Sequence, residues 1–380
     1  MAKIATKAAF DAFVTGFEAK GVYARPLAFG VGLATKSSEG RTLDTLYPHP
    51  NYGTNHGTAA VLAAVLGYKT GNIVYPDVGV KMLTDILTHF DWLADDAAPH
   101  PNIDIIRNIR ATLIRRAGDG AMSGNKVCVV TFIGAGETDR GSLTVPDAYL
   151  RLHLLSHRLV KPHGIKLDGV FDNLPNNIWS NEGPIAEEDL MSRQIQAGYT
   201  RHPLMIHARD KFPRMLDYVA PSKVRIADAS RVRLGAHLGE GTVVMHEGFV
   251  NFNAGCEGPN MIEGRVSAGV FVKEGTDIGG GASIMGTMSG GGKEVITVGK
   301  KCLIGANSGV GITLGDYCTV EAGLYVTAGM PVQLEDGSFV KAETLSGQNE
   351  MLFIRDSKCG AVKMLRRKNK TMLNAELHET

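Results

Sequence analysis

The N-terminal stretch is amphipathic. Ile4, Ala8, Phe10, Phe13, Val14 and Phe17 recur at roughly helical spacing and predict a helix over residues 1–20. Val22 to Val31 reads as a strand broken by Pro26. Met82, Leu83, Ile86, Leu87, Phe90 and Leu93 predict a helix over 80–93. Val127–Ile133 is a continuous apolar run, which predicts a buried strand, and Tyr149–Leu159 has helical spacing. Residues 170–200 hold Asn173, Asn176, Asn177, Asn181 and two prolines, and read as loop-rich. Residues 1–220 are therefore a mixed α/β N-terminal region.

From Ile226 to Val332 the pattern changes. Ile226, Val232, Leu238, Val244, Val250, Cys256, Ile262 and Ala268 are six apart. A second series runs in shifted phase: Val272, Ile278, Ile284, then, past a skipped position at Gly290, Ile296, Cys302, Ser308, Leu314, Val320, Val326 and Val332. A period of six matches neither a helix nor an alternating strand. It matches a triangular solenoid in which each short strand contributes one inward aliphatic side chain. Three hexads make a coil, so about six coils stack at roughly 4.8 Å. The phase shift predicts four or ten extra residues, in a loop leaving a corner near Cys256–Asn260. The gap at 286–294 predicts a second irregular corner.

Glycine supports this division. Residues 226–332 hold 23 of the 46 glycines, as turns needing positive φ would require. Three regions follow: 1–220 mixed α/β, 221–335 solenoid, and 336–380 a C-terminal extension.

Charge is nearly balanced, at net +1. That argues against a protein that coats nucleic acid or an anionic membrane. Cys128, Cys256, Cys302, Cys318 and Cys359 form no CxxC and no zinc spacing, and read as reduced thiols of a cytoplasmic protein. The charged N-terminus lacks a signal-peptide h-region, and no apolar run is long enough to span a bilayer.

Several motifs fail on inspection. Gly134-Ala-Gly136 follows a strand, but a dinucleotide fingerprint needs glycine where Asp139 stands. Gly290-Gly-Gly-Lys293 lacks the phosphate-loop spacing and reads as a corner. His237 and His246 lack the third histidine of a zinc centre, and His246 beside Glu247 forms an acid/base or an interface pair. Glu263, in MIEGRVSAG, follows an inward isoleucine and can serve as base or nucleophile. Gly286, in SIMGTMSGGG, can present a backbone N–H to an oxyanion. On these residues alone, an acyltransferase and a structural scaffold both stay open.

VRLGAHLGEGTVVMHEGFVNFNAG, MIEGRVSAGVFV, DIGGGASIMGTMSGGG, CLIGANSGVGITLGD and VEAGLYVTAG add a more specific likeness. They resemble the tetrahydrodipicolinate N-succinyltransferases of pseudomonads and actinobacteria, closely over about 205–345. The resemblance implies a left-handed parallel β-helix and a cytoplasmic homotrimer with active sites between subunits. It implies succinyl transfer from succinyl-CoA to the amine of tetrahydrodipicolinate, in its hydrated, ring-opened form. Glu263 matches the catalytic glutamate, acting through an acyl anhydride or as a base. Gly286 matches the oxyanion-stabilising glycine. Arg265, Gly280, Ser283, Ala306, Glu321, Ala322, Gly329 and Lys341 match positions lining the succinyl-CoA site, and Arg355 and Ser357 lie in a CoA-contacting segment. Asp356 stands where Asn is expected. Some members bind Mg²⁺ on the threefold axis. Glu247 matches one metal ligand, but the other expected acid, two positions after Asp228, is Ser230. The basic run Arg366–Lys370 reads as a solvated helix face. Another acyl donor or acceptor on the same fold, or a non-catalytic trimeric scaffold, is the competing reading.

Overall fold

The computed structural model describes residues 4–95, 100–119, 125–135, 143–200, 202–289 and 293–366. The chain divides into two compact units. One is Met1–Leu154 with Leu167–Pro213, and the other is Leu155–Lys166 with Arg214–Thr380. Gly136, Asp139, residues 290–292 and residues 367–370 of the basic run lie outside the described residues.

In the first unit, helix α1 (Lys7–Ala19) is capped by Thr6, whose Oγ1 accepts the Ala9 N–H at 3.2 Å. It lays Phe10, Phe13 and Phe17 against the core. Strand β1 (Ala28–Lys36) begins only after Pro26, and Val22 is exposed, so the predicted strand is displaced toward the C-terminus. β2 (Thr42–Leu46) and β3 (Asn51–Tyr52) follow, then α2 (His56–Leu66) and β4 (Ile73–Tyr75). Helix α3 (Val80–Thr88) stops short of Leu93, which falls in a 3-10 turn. Helix α4 (Pro101–Asp119), strand β5 (Asn125–Ile133) and helix α5 (Val145–Ser156) complete this part. The antiparallel sheet runs β2-β1-β5-β4, with β3 also on β1.

Residues 170–200 are more regular than expected. They form α6 (Val170–Asn173), β6 (Asn177–Ser180), β7 (Gly183–Ile185) and α7 (Leu190–Thr200), and β8 (Ile206–Asp210) pairs with β6. The asparagines that suggested loops act as side-chain hooks. Asn177 Nδ2 donates to Leu43 O at 2.8 Å, and Asn173 Nδ2 to Gly169 O at 2.8 Å.

The second unit is a three-sided parallel β-helix, consistent with the left-handed β-helix expected. Its first face stacks Arg225–Ile226, Thr242–Val244, Asn260–Ile262, Asp277–Ile278, Leu303–Ile304 and Thr319–Val320. The second stacks Phe249–Val250, Arg265–Val266, Ser283–Ile284, Gly309–Val310 and Tyr325–Val326. The third stacks His237–Leu238, Gly255–Cys256, Phe271–Val272 and Thr297–Val298. The last residue of each strand points inward, and all but Ile226, at the open first coil, are buried.

The phase shift has a different cause from the one predicted. Cys256 and Asn260 pair in register with Leu238 and Thr242, so no loop leaves there. Instead the inward residues Ile262 and Val266 are only four apart, and the corner between them, Glu263–Gly264, is two residues short. Gly264 is required because a Cβ would stand 2.5 Å from Ala282 O. The corner after Ile284 is long, as expected, and the next inward residues are Val298, Ile304 and Val310. Ile296, Cys302 and Ser308 lie two positions earlier and are also buried, which is how they imitate the repeat. A second short step, Val310 to Leu314, restores the phase.

Beyond the coils, Pro331–Gln333 and Phe339–Lys341 form a hairpin. Met351–Arg355 joins the first face beside Thr319–Val320 and turns back antiparallel into Val362–Arg366. Phe353 is buried there. Arg366 thus ends a strand and not a helix, and its guanidinium donates to Asn349 O and Gln348 Oε1, both at 2.8 Å. Among the described residues, no helix is long and apolar enough to cross a membrane.

Candidate active site

The short corner sets Glu263. Its N–H donates to Ile278 O at 2.8 Å. Its carboxylate carries no hydrogen bond or ion pair to a described residue. A Cβ built on Gly280, one coil on, would lie 3.9 Å from Glu263 Oε2, so the carboxylate lies over that glycine. The same edge of the prism continues through Ala306, whose carbonyl accepts the Gly323 N–H at 2.8 Å, and on to Glu321 and Ala322. Five of the predicted residues therefore form one column along one corner.

The column joins the C-terminal hairpin. Glu321 Oε2 accepts the main-chain N–H of Arg355 at 2.6 Å. Next to it the turn holding Ser357 is organised by Asp356. Asp356 Oδ1 accepts the Lys358 N–H at 2.8 Å, and Oδ2 accepts from Lys363 Nζ at 2.5 Å. The Lys363 ammonium holds the Asp356 carboxyl down at about 2. The aspartate that departs from the expected Asn is thus a turn organiser. Lys341 lies elsewhere, at the exposed end of Phe339–Lys341, with Nζ 3.4 Å from Glu343 Oε1.

Arg265 and Ser283 are register partners on the second face. Ser283 Oγ accepts from Arg265 Nε at 3.1 Å and from Nη2 at 2.6 Å. That clamp fixes the guanidinium and leaves Nη1 without a described partner, ready for a carboxylate.

Gly286 sits at the other edge of this face. A Cβ there would be 2.7 Å from Ala268 O, which places Gly286 directly against Ala268 on the neighbouring coil. Its carbonyl accepts the Ile296 N–H at 3.2 Å, and its own N–H has no acceptor among the described residues. Gly329 lies on the same edge, next to Ala328, whose N–H donates to Ser289 Oγ at 2.6 Å. Along one chain, Glu263 and Ala268 are separated by one strand, on the order of 15 Å at strand rise. Glu263 and Gly286 of a single chain therefore cannot serve one reacting carbonyl.

Sequence reading missed Ser289 and Tyr325. Tyr325 is the register partner of Gly309 on the second face, and although Tyr325 lies in VEAGLYVTAG and Ser289 in DIGGGASIMGTMSGGG, neither is marked out by its spacing.

Glu247 occupies the Glu263 corner one coil earlier, with Oε1 3.4 Å from His246 Nε2. Asp228 Oδ1 is already taken by the Ser230 N–H at 2.8 Å and Ser230 Oγ at 2.7 Å, which hold its carboxyl below the usual range. Among the described residues, no group of three His, Cys, Asp or Glu side chains forms a metal site. This donor set does not fit a divalent cation within one chain. His237 is a packing residue, with Nδ1 2.9 Å from Val160 O, and burial lowers its pKa.

Comparisons with known proteins identify the family. Residues 8–172 match the model "Tetrahydrodipicolinate N-succinyltransferase N-terminal", and 174–214 match the middle domain of the same family. Residues 295–328 match "Hexapeptide repeat of succinyl-transferase". A 2,3,4,5-tetrahydropyridine-2,6-dicarboxylate N-succinyltransferase of Pseudomonas putida is 48% identical over 359 residues, covering 93% of this chain and 97% of that one. Its Vibrio cholerae counterpart is 45% identical, covering 93% and 98%. A Campylobacter jejuni crystal structure, described as a putative 2,3,4,5-tetrahydropyridine-2-carboxylate N-succinyltransferase, superposes with a TM-score of 0.87 at 32% identity, covering 97% of this chain and 100% of that one. With relatives this similar over nearly its whole length, the chain belongs to the tetrahydrodipicolinate N-succinyltransferase family.

Proposed function

We propose that this enzyme moves succinyl from succinyl-CoA to the amine of tetrahydrodipicolinate at a site built by two copies of the chain. The observation that carries the reading is the pair of unspent groups on neighbouring edges of one face. Glu263 offers a carboxylate and Gly286 an N–H, each without a partner among the described residues. Because they are too far apart within one chain, Glu263 of one copy faces Gly286 of another. A cyclic homotrimer supplies three such pairs by symmetry.

In the reaction, the acceptor amine attacks the thioester carbonyl. Glu263 takes the proton that the nitrogen sheds. The oxygen of the tetrahedral intermediate receives the Gly286 N–H. The C–N bond forms, the C–S bond breaks, and the CoA sulfur leaves as thiolate, which then takes up a proton. Arg265 holds the terminal carboxylate of the succinyl group. Gly280, Ala306 and Ala322 give the pantetheine arm a groove of small side chains along one corner. Glu321, Gly329, Arg355, Ser357 and Lys341 frame the rest of CoA, with the Lys341 ammonium toward phosphate. Glu247 lies outside this machinery, and no step runs through magnesium. The enzyme acts in the cytoplasm.

The test is thiol release from succinyl-CoA with and without tetrahydrodipicolinate. Release that requires the acceptor supports the reading. Release without acceptor points to an acyl-enzyme on Glu263. No release from a folded protein returns the chain to the scaffold reading.

A further inference from the structure

Tyr325 is the unexplained residue on the face that carries Arg265 and Ser283. The outward positions of that face, coil by coil, are Phe249, Arg265, Ser283, Gly309 and Tyr325. A Cβ added to Gly309 would stand 2.1 Å from Tyr325 Cζ and 2.2 Å from Cε1. The phenol ring therefore lies along the ladder, over Gly309, with its outer end at that glycine. Strands stack about 4.8 Å apart, close to the span from a tyrosine Cβ to its Cζ, so Oη extends past Gly309 toward Ser283. The residue is 39% exposed, and Oη has no hydrogen-bond partner among the described residues.

From the opposite side, Arg265 bends onto Ser283 Oγ at 2.6 Å. Ser283 Oγ accepts twice from Arg265, so its own O–H remains to be donated. Three donors thus converge over one shelf: Arg265 Nη1, the Ser283 hydroxyl and the Tyr325 hydroxyl. Two neutral donors beside one guanidinium match a single carboxylate, which has two oxygens and several lone pairs. The glycine at 309 is what keeps the shelf open to the ring.

We infer that Tyr325 is a specificity-determining residue that donates its hydroxyl to the terminal carboxylate of the succinyl group, alongside Arg265 and Ser283. This rests on the succinyl-transfer reading above. It explains how the site distinguishes a dicarboxylic acyl group from a plain one, since an acetyl group leaves all three donors unpaired. The acceptor also carries carboxylates. The succinyl group is favoured because Arg265 is only two residues from Glu263, on the strand that leaves the catalytic corner.

The test measures dissociation constants of succinyl-CoA and acetyl-CoA by calorimetry, without acceptor, for wild type, Tyr325→Phe and Gly309→Ala, with steady-state acceptor kinetics alongside. Tyr325→Phe keeps the ring and removes only the hydroxyl. Succinyl-CoA binding should weaken about 10- to 100-fold, the usual worth of a hydrogen bond to a charged group, with acetyl-CoA changed less than about 2-fold. Gly309→Ala should give the same pattern, because the new methyl displaces the ring from the shelf. Equal loss for both thioesters, or no loss for succinyl-CoA, overturns the inference. So does a loss confined to the acceptor's KM, which assigns the shelf to the acceptor's carboxylate. If wild type releases thiol with the acceptor while these variants bind normally, only this inference fails. If wild type releases none, the succinyl-transfer reading fails first.

Discussion

Ser289 Oγ accepts the main-chain N–H of Ala328 at 2.6 Å, while the Ser289 N–H donates to Gly311 O at 3.0 Å. One serine thus pins the long corner that starts at Gly286 to two further segments of chain. Ser289→Ala strands the Ala328 N–H, a loss of about 1–3 kcal/mol. We expect a lower unfolding temperature and a kcat reduced roughly tenfold as the oxyanion donor loosens. Ser289→Thr should restore both. An unchanged kcat in the alanine variant would break the link between Ser289 and Gly286.

Glu263→Gln keeps the shape of the side chain and removes its basicity. Turnover should fall on the order of 10²–10⁴-fold, the worth of a general base. The dissociation constant of CoA should stay within about twofold, because the carboxylate only touches the edge of the thioester. Calorimetry and steady-state rates on the same preparation separate these effects. A variant with normal turnover removes Glu263 from the chemistry.

Gly286 tolerates no side chain. A Cβ would meet Ala268 O at 2.7 Å, so even Gly286→Ala must shift the backbone that carries the oxyanion donor. We expect transfer to slow about 10²-fold, with kcat and kcat/KM falling together. A rise in KM alone would show that Gly286 only shapes the binding site.

Asn260 is buried and fully satisfied. Its Oδ1 accepts the Gly258 N–H at 2.7 Å, and Nδ2 donates to Lys273 O at 2.8 Å and Thr276 O at 2.9 Å. Asn260→Ala orphans these partners and should cost about 2–4 kcal/mol in denaturant unfolding. A cost under about 0.5 kcal/mol would mean that water replaces the amide.

Burial lowers the pKa of His237, and also of His49 and His89. The unfolded chain takes up protons below about 6.5 that the folded chain refuses. This part of the stability is present above that pH and is lost as pH falls through the depressed folded values. The unfolding midpoint should therefore drop between about pH 7 and pH 5, and His237→Gln should flatten the slope. An unchanged slope would exclude His237 as a contributor.

Much of the β-helix could be read in the chain because its inward positions are aliphatic at a fixed interval. The error lay where buried residues come in two kinds. Cys302 and Ser308 are as buried as Ile304 and Val310, so both phases look apolar, and a shortened corner resembles an inserted loop. Glu263 stood out in its motif, but nothing in the letters showed that it occupies the short corner itself. Tyr325 could not be found from sequence at all. Its place follows from stacking on Gly309, sixteen residues earlier, a distance set by another short corner. In the first unit, the asparagines of 170–200 read as loop signals although Asn173 and Asn177 are side-chain hooks, because loops and hooks use the same residue.

A parallel stack has no natural last layer, since each coil presents the next with an open row of N–H and C=O groups. Here Met351–Arg355 occupies that row beside Thr319–Val320 and then reverses direction into Val362–Arg366. The hairpin covers that row on the first face, and its second strand pairs onward with Pro331–Gln333. A chain ending at Glu350 would keep every coil and uncover the edge of Thr319–Val320. We expect such a chain to self-associate through the uncovered edge, read as concentration-dependent light scattering, and a truncated chain that keeps the full-length protein's size would rule this out.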